Sequence, residues 1–201
     1  TDPRNDFVRG YALQTVAPLP ISMSHLLVDE DGSFGMPLRR AMEEYNHYAC
    51  IGVLGEILPD ARNSVSIHPT LKDRYGIPVP YVRFNLFEND RKMMQAGVAR
   101  AEEVLRAAGA RDTHWVSRYA HLVGTCRMGF NPSDSVVDRW CRSWDVPNLF
   151  ICDGSLLPTQ GSANPALTIS ALAARTADWI REAVPKGALR RAATVEMGVS
   201  L

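Results

Sequence analysis

No apolar run in the 201-residue chain reaches the roughly 18 positions that a membrane-crossing helix needs, and no charged segment followed by an apolar core opens it. The sequence therefore predicts neither a transmembrane helix nor a secretory leader, and no membrane partner. Charge of one sign is also lacking: 22 Lys and Arg balance 22 Asp and Glu, and neither sign forms a long run. That removes the electrostatic footprint by which a protein binds nucleic acid or an anionic membrane. Cysteine is scarce, at positions 50, 126, 141 and 152. This fits neither the paired spacings of a zinc site nor the density of a disulfide scaffold. Free buried thiols are the expectation, and they favour a reducing, cytoplasmic location. What is plentiful is apolar material, 46% of residues, enough for a real core.

Along the chain, residues 1–35 carry apolar stretches broken by Pro18, Pro20, Gly32 and Gly35, which predicts strand and loop. From Pro37, the spacing of Leu38, Ala41, Met42 and Tyr45 predicts a short helix with proline at a permitted early position. Residues 50–58 read as a buried strand and 63–67 as the next, with a turn at Asp73–Gly76. The stretch from Val79 to Leu86 alternates with period two. Val82, Phe84 and Leu86 are expected to face a core, with Tyr81, Arg83 and Asn85 opposite. Residues 88–108 shift to helical spacing, placing Met93, Val98, Ala101, Val104 and Leu105 inward, with Gly109 as the stop. The first 110 residues thus predict an antiparallel sheet with helices attached. Further on, Asn148–Cys152 reads as a short, wholly apolar strand covered on both faces. Asn164 and Pro165 open an alanine-rich helix running to about residue 183.

Two segments concentrate the chemistry. The first is Tyr119-Ala120-His121-Leu122-Val123-Gly124-Thr125-Cys126-Arg127-Met128-Gly129. The second is Asp153-Gly154-Ser155 followed by Gly161-Ser162-Ala163-Asn164-Pro165-Ala166-Leu167-Thr168. Joined by Val136-Val137-Asp138 and Val146-Pro147-Asn148-Leu149, they resemble the C-terminal signature of the glucose-methanol-choline (GMC) oxidoreductases, closely over residues 119–180 and more loosely over 45–118. The resemblance implies an FAD-dependent enzyme, similar to bacterial sugar-oxidising members, that oxidises a CH–OH group of an alcohol, a sugar or glycoside being the favoured substrate. Hydride leaves the carbinol carbon for flavin N5 while a base takes the hydroxyl proton, a task for which neutral imidazole is suited. His121 matches the family's catalytic histidine. Asn164 matches the polar partner that holds the substrate oxygen as alkoxide character develops.

The same resemblance assigns flavin contacts to Asp153, Gly154, Asn164, Pro165 and Thr168. The N-terminus of the helix after Pro165 would lie at the flavin's electronegative edge. Tyr81, Arg83 and Asn85 are candidates to line a polar substrate cleft, a solvated outer face being the competing reading. Taken alone, Asn164 is simply a helix N-cap and Asp153 a turn residue. The joint occurrence of both motifs, 43 positions apart, favours the catalytic assignment. His25, His47, His68 and His114 have no partners at metal-ligand spacing, so no metal is expected, and Cys126 is read as packing.

The implied fold class is α+β. Residues 1–118 form a substrate-binding domain of mixed antiparallel sheet and helices, 119–184 the His/Asn segment returning as strand and helix to a Rossmann-like FAD-binding domain, and 185–201 a tail. No G-x-G-x-x-G turn of a dinucleotide-binding half occurs. The N-terminal FAD-binding portion is therefore expected as a separate chain or a missing segment, with oligomerisation open. Two other readings remain: a GMC-fold lyase that keeps FAD without redox chemistry, and a non-catalytic subunit of a flavoenzyme assembly.

Overall fold

The computed structural model describes residues 5–183, together with Pro185 and Gly187, so the expected tail otherwise lies outside the described residues. The chain divides into two compact units, one running up to Ile57 and including Leu86–Tyr119, the other formed by Leu58–Asn85 and the chain from Ala120 onward. Among the described residues, no helix is long and apolar enough to cross a membrane.

In the first unit, β1 (Tyr11–Val16) pairs antiparallel with β2 (Cys50–Gly55), from Tyr11 opposite Gly55 to Val16 opposite Cys50. Between them run α1 (Pro20–Asp31) and α2 (Met36–Glu43), and a later helix, α3 (Glu88–Ala107), packs on both strands. Of the strand and loop expected over residues 1–35, β1 is the strand, and helix α1 corrects the rest. Pro20 sits at the first helical position, where its missing N–H costs nothing. Met23 and Leu27, four residues apart, bury one face, and Gly32 closes the helix in left-handed backbone at φ 63°. Two prolines that read as breakers thus frame a helix start.

Helix α3 follows its periodicity, but its buried line is Asp90, Met93, Gly97 and Ala101. Val104, expected inward, is exposed. The Asp90 carboxylate accepts the Phe87 N–H at 3.0 Å and holds the first turn. At the other end Gly109, at φ 96°, lets the Ala110 N–H reach the Leu105 carbonyl at 3.0 Å. A glycine inside a helix costs about 1 kcal/mol relative to alanine. Gly97 is accepted because a Cβ there would overlap Val53 Cγ1 and stand 3.4 Å from the Tyr11 ring. Gly97→Ala is therefore expected to destabilise the protein by about 1–2 kcal/mol despite better helix propensity. The urea midpoint measures this, and a rise in midpoint would contradict the close packing. Adding Val53→Ala should restore much of the loss.

The second unit opens with a hairpin of β3 (Ser64–Lys72) and β4 (Pro78–Arg83), paired from Ser64 opposite Arg83 to Ile67 opposite Pro80. His68 Nδ1 accepts the N–H groups of Thr70 and Leu71, at 3.3 and 3.0 Å, where the register shifts. Asp73 Oδ1 accepts from Tyr75 and Ile77, at 2.8 and 2.9 Å, and builds the turn. Instead of one sheet, the described residues hold two separate two-stranded ribbons. Val82, placed in a core by alternation, is 59% exposed, and Val65 and Ile67 are exposed with it. Period two assigns side chains to opposite faces of a strand, but it does not cover either face.

The core of this unit is Val137, Cys141 and Leu156, with Met128, Ile151, Leu157 and Leu172 packed around them. The apolar run at 148–152 does not form the expected strand. Its pairing is a single antiparallel bridge of Phe150 with Arg142, flanked by hydrogen bonds of 2.9 Å from Ser143 N to Leu149 O and from Ile151 N to Cys141 O. A doubly covered strand needs neighbours on both edges, and the described residues supply one short segment. Helix α4 (Ala166–Ala183) forms as expected from Asn164–Pro165. It docks through buried Thr176, whose Oγ1 lies 3.2 Å from Trp140 O, and through Trp179, whose ring stacks on Trp140 with centroids 6.1 Å apart.

Candidate active site

Residues after His121 lie along the stretch Asp153–Pro158. The Cys126 N–H donates to Ser155 O at 2.9 Å and the Met128 N–H to Leu156 O at 2.8 Å. Leu156 is fully buried, so this pairing is anchored in the core. Asp153 Oδ1 accepts the Ser155 N–H at 2.8 Å and closes a one-turn 3-10 helix over Gly154–Leu156. Its turn role is thus realised, and the carboxylate is still exposed.

Gly154 is where the two motifs meet. A Cβ built on it would stand 3.7 Å from Leu122 O and from Val123 Cγ1, and 3.5 Å from Ile169 Cδ1. Leu122 follows His121, and Ile169 lies in the first turn of α4, just beyond Asn164 and Pro165. The segment after His121, through the Leu122 carbonyl and the Val123 side chain, and the first turn of α4, through the Ile169 side chain, therefore converge on one small residue.

His121 has φ 60°, one of three non-glycine residues with positive φ among those described, the others being Arg9 and Cys141. Left-handed backbone in a residue with a Cβ costs on the order of 1 kcal/mol and persists where surrounding structure imposes it. His121 and Asn164 are both exposed, and among the described residues neither side chain makes a hydrogen bond that would occupy it. Asn164 precedes the helix, whose bond from the Ile169 N–H to Pro165 O at 3.0 Å is backbone alone. Ala166, Leu167 and Thr168, the first turn of α4, are exposed as well. Free helix N–H groups and a partial positive charge are thus presented outward, a donor set that fits the electronegative edge of a flavin.

Tyr81, Arg83 and Asn85 stand on the hairpin. The Tyr81 ring meets His68 edge-on at 5.6 Å, and the Arg83 guanidinium lies 5.9 Å from the Tyr81 ring. Asn85 is held through its backbone, its N–H donating to Asn63 Oδ1 at 2.7 Å and its O accepting from Asn63 Nδ2 at 3.0 Å. All these contacts are local to the hairpin. Among the described residues no cluster of His, Cys, Asp and Glu is placed to hold a metal. All four cysteines are free, but only Cys141 is buried, against the expectation of buried thiols throughout. Burial, then nearby Cys141, pushes the Cys152 thiol up, opposed by a hydrogen bond with Thr176. Beside Asp153 it is therefore no ready nucleophile.

The profile of the GMC oxidoreductase family matches residues 59–173, which takes in the hairpin, the His121 motif and the start of α4. The chain belongs to that family. Among GMC relatives, it is 35% identical to 2-methyl-1,2-propanediol dehydrogenase of Mycolicibacterium austroafricanum over 90% of this chain and 34% of that protein. It is 35% identical to the fructose dehydrogenase large subunit of Gluconobacter japonicus over 66% of this chain and 25% of that protein. It is 31% identical to the gluconate 2-dehydrogenase flavoprotein of Pantoea cypripedii over 70% of this chain and 25% of that protein. The chain spans about a third or less of these GMC relatives' length. The signals that sequence patterns did not carry are conformational: the left-handed backbone of His121 and Gly124, and the packing of Ile169 on Gly154.

Proposed function

We propose that this chain is the substrate-side and flavin-ring-side portion of an FAD-dependent GMC oxidoreductase that oxidises a CH–OH group, with sugars or glycosides the favoured substrate class. The observation that carries the reading is the convergence on Gly154 of the segment after His121 and the first turn of Asn164's helix. His121, exposed and without a competing hydrogen bond, takes the hydroxyl proton. The Asn164 carboxamide donates to the same oxygen as negative charge grows on it, a bond worth most at the transition state. Asp153, Gly154, Pro165 and Thr168 border the flavin, with the open N-terminus of α4 facing its electronegative edge. FAD held there supplies the acceptor for the hydride leaving the carbinol carbon. Tyr81, Arg83 and Asn85 offer hydroxyl-binding groups, in keeping with relatives named for a propanediol, fructose and gluconate.

The remainder of the FAD site comes from a separate chain or a segment preceding this one, and a multi-subunit assembly accords with a relative named as a large subunit. Anaerobic addition of a panel of alcohols and sugars to the full-length flavin-loaded protein is expected to bleach the flavin absorbance with at least one of them. Product formed with an unchanged spectrum would make the protein a lyase. A purified assembly without flavin absorbance would make the chain a non-catalytic subunit.

A further inference from the structure

We propose that Gly124 is a positioning residue for His121, acting through the register of residues 121–128 against the carbonyls of Ser155–Pro158. This rests on His121 being the base.

Gly124 combines two features that no other glycine with described surroundings does. Its φ is 91°, backbone that residues with a side chain rarely adopt, and a Cβ on it would stand 3.3 Å from Leu157 O and 3.9 Å from Pro158 O. At Gly32, Gly35, Gly76 and Gly109 φ is also positive, but an added Cβ meets nothing within 4 Å. The opposing atoms at Gly124 are backbone oxygens, which cannot swing aside as a side-chain tip can. They belong to a stretch fixed by fully buried Leu156 and by the bonds Cys126 N to Ser155 O and Met128 N to Leu156 O, 2.9 and 2.8 Å. Strain from a new Cβ therefore cannot be taken up on that side, nor downstream of Cys126. It passes upstream to residues 121–123, held by packing on Gly154 and ending in the left-handed backbone of His121. A shift of a few tenths of an ångström there displaces the imidazole from its substrate proton. Misplacement of a catalytic group by ~1 Å costs roughly 100-fold in rate.

The test is Gly124→Ala in the full-length, flavin-loaded protein, beside Gly76→Ala, which carries the same kind of backbone strain in the hairpin turn without the contact. Turnover is expressed per bound flavin, with alcohol deuterated or not at the carbinol carbon. The expected result for Gly124→Ala is a kcat about 10–100-fold lower, with KM little changed and a larger deuterium isotope effect on kcat. Gly76→Ala keeps wild-type turnover per flavin. Gly124→Asn, whose side chain tolerates left-handed backbone but retains the Cβ, is expected to show the same loss and covers the case in which the alanine variant does not fold. Wild-type turnover per flavin in Gly124→Ala overturns the inference. So does failure of both variants to yield flavin-loaded protein, which makes the glycine a folding requirement alone. His121→Ala separates the two levels: if it leaves turnover intact the proposed function falls, and if it abolishes turnover while Gly124→Ala does not, only the role of Gly124 falls.

Discussion

His121→Ala in the full-length protein is expected to lower kcat by about 10²–10⁴-fold, the usual share of a general base, while flavin content and thermal stability stay near wild type. At about 1.36 kcal/mol per decade this is roughly 3–5 kcal/mol of transition-state stabilisation. The two halves of the expectation come from the same geometry. The imidazole is exposed and makes no hydrogen bond among the described residues, so its removal leaves no buried partner unsatisfied. Alanine retains the strain of φ 60° and adds none. A structural histidine would behave in the opposite way, losing stability and keeping turnover per flavin. Stopped-flow reduction of the flavin reads the chemical step directly. Reduction at the wild-type rate in the variant removes His121 from the mechanism.

How far the sequence reveals this site depends on which property each residue contributes. Asn164-Pro165 announces the start of α4 because proline at an early helical position is a local, covalent constraint, and the helix forms where it should. Gly109 stops α3 for a similarly local reason. Family membership is legible in the two motifs, and the family match over residues 59–173 bears it out. Less legible is whatever depends on neighbours. Pro18 and Pro20 read as breakers until the burial of Met23 and Leu27 shows α1 to have an inner face. Asn148–Cys152 reads as a buried strand from composition, but a strand is made by its partners, and a single bridge to Arg142 is what the segment finds. Alternation correctly put Tyr81 and Arg83 on one face of β4, while saying nothing of whether Val82 on the other would be covered. At the site, the identities of His121 and Asn164 are legible and the left-handed backbone beneath His121 is not, since histidine, though enriched at positive φ, adopts it at only a small minority of positions.

Leu156→Ala is expected to give the reverse signature, a loss of about 2–5 kcal/mol in unfolding free energy with turnover per bound flavin retained in the fraction that stays folded. Leu156 is fully buried in the cluster with Val137 and Cys141, and Met128, Ile151, Leu157 and Leu172 pack around that cluster. These residues come from the His121 segment, the loop at 137–151, the stretch Asp153–Pro158 and helix α4. Truncation leaves a cavity between elements that cannot all close on it, and the cost lies well above the transfer of three carbons. Against a total stability on the order of 5–15 kcal/mol, that is enough to lower the denaturant midpoint severely. The Leu156 carbonyl that receives the Met128 N–H is backbone and survives the substitution, which is why the site's geometry should outlast its stability margin. Leu156→Met, which conserves volume, should cost less than about 1.5 kcal/mol. A loss below about 1 kcal/mol for the alanine variant would mean that Leu156 is not the pin of this core. The stability of this core would then rest on α4 and the Trp140–Trp179 stack instead.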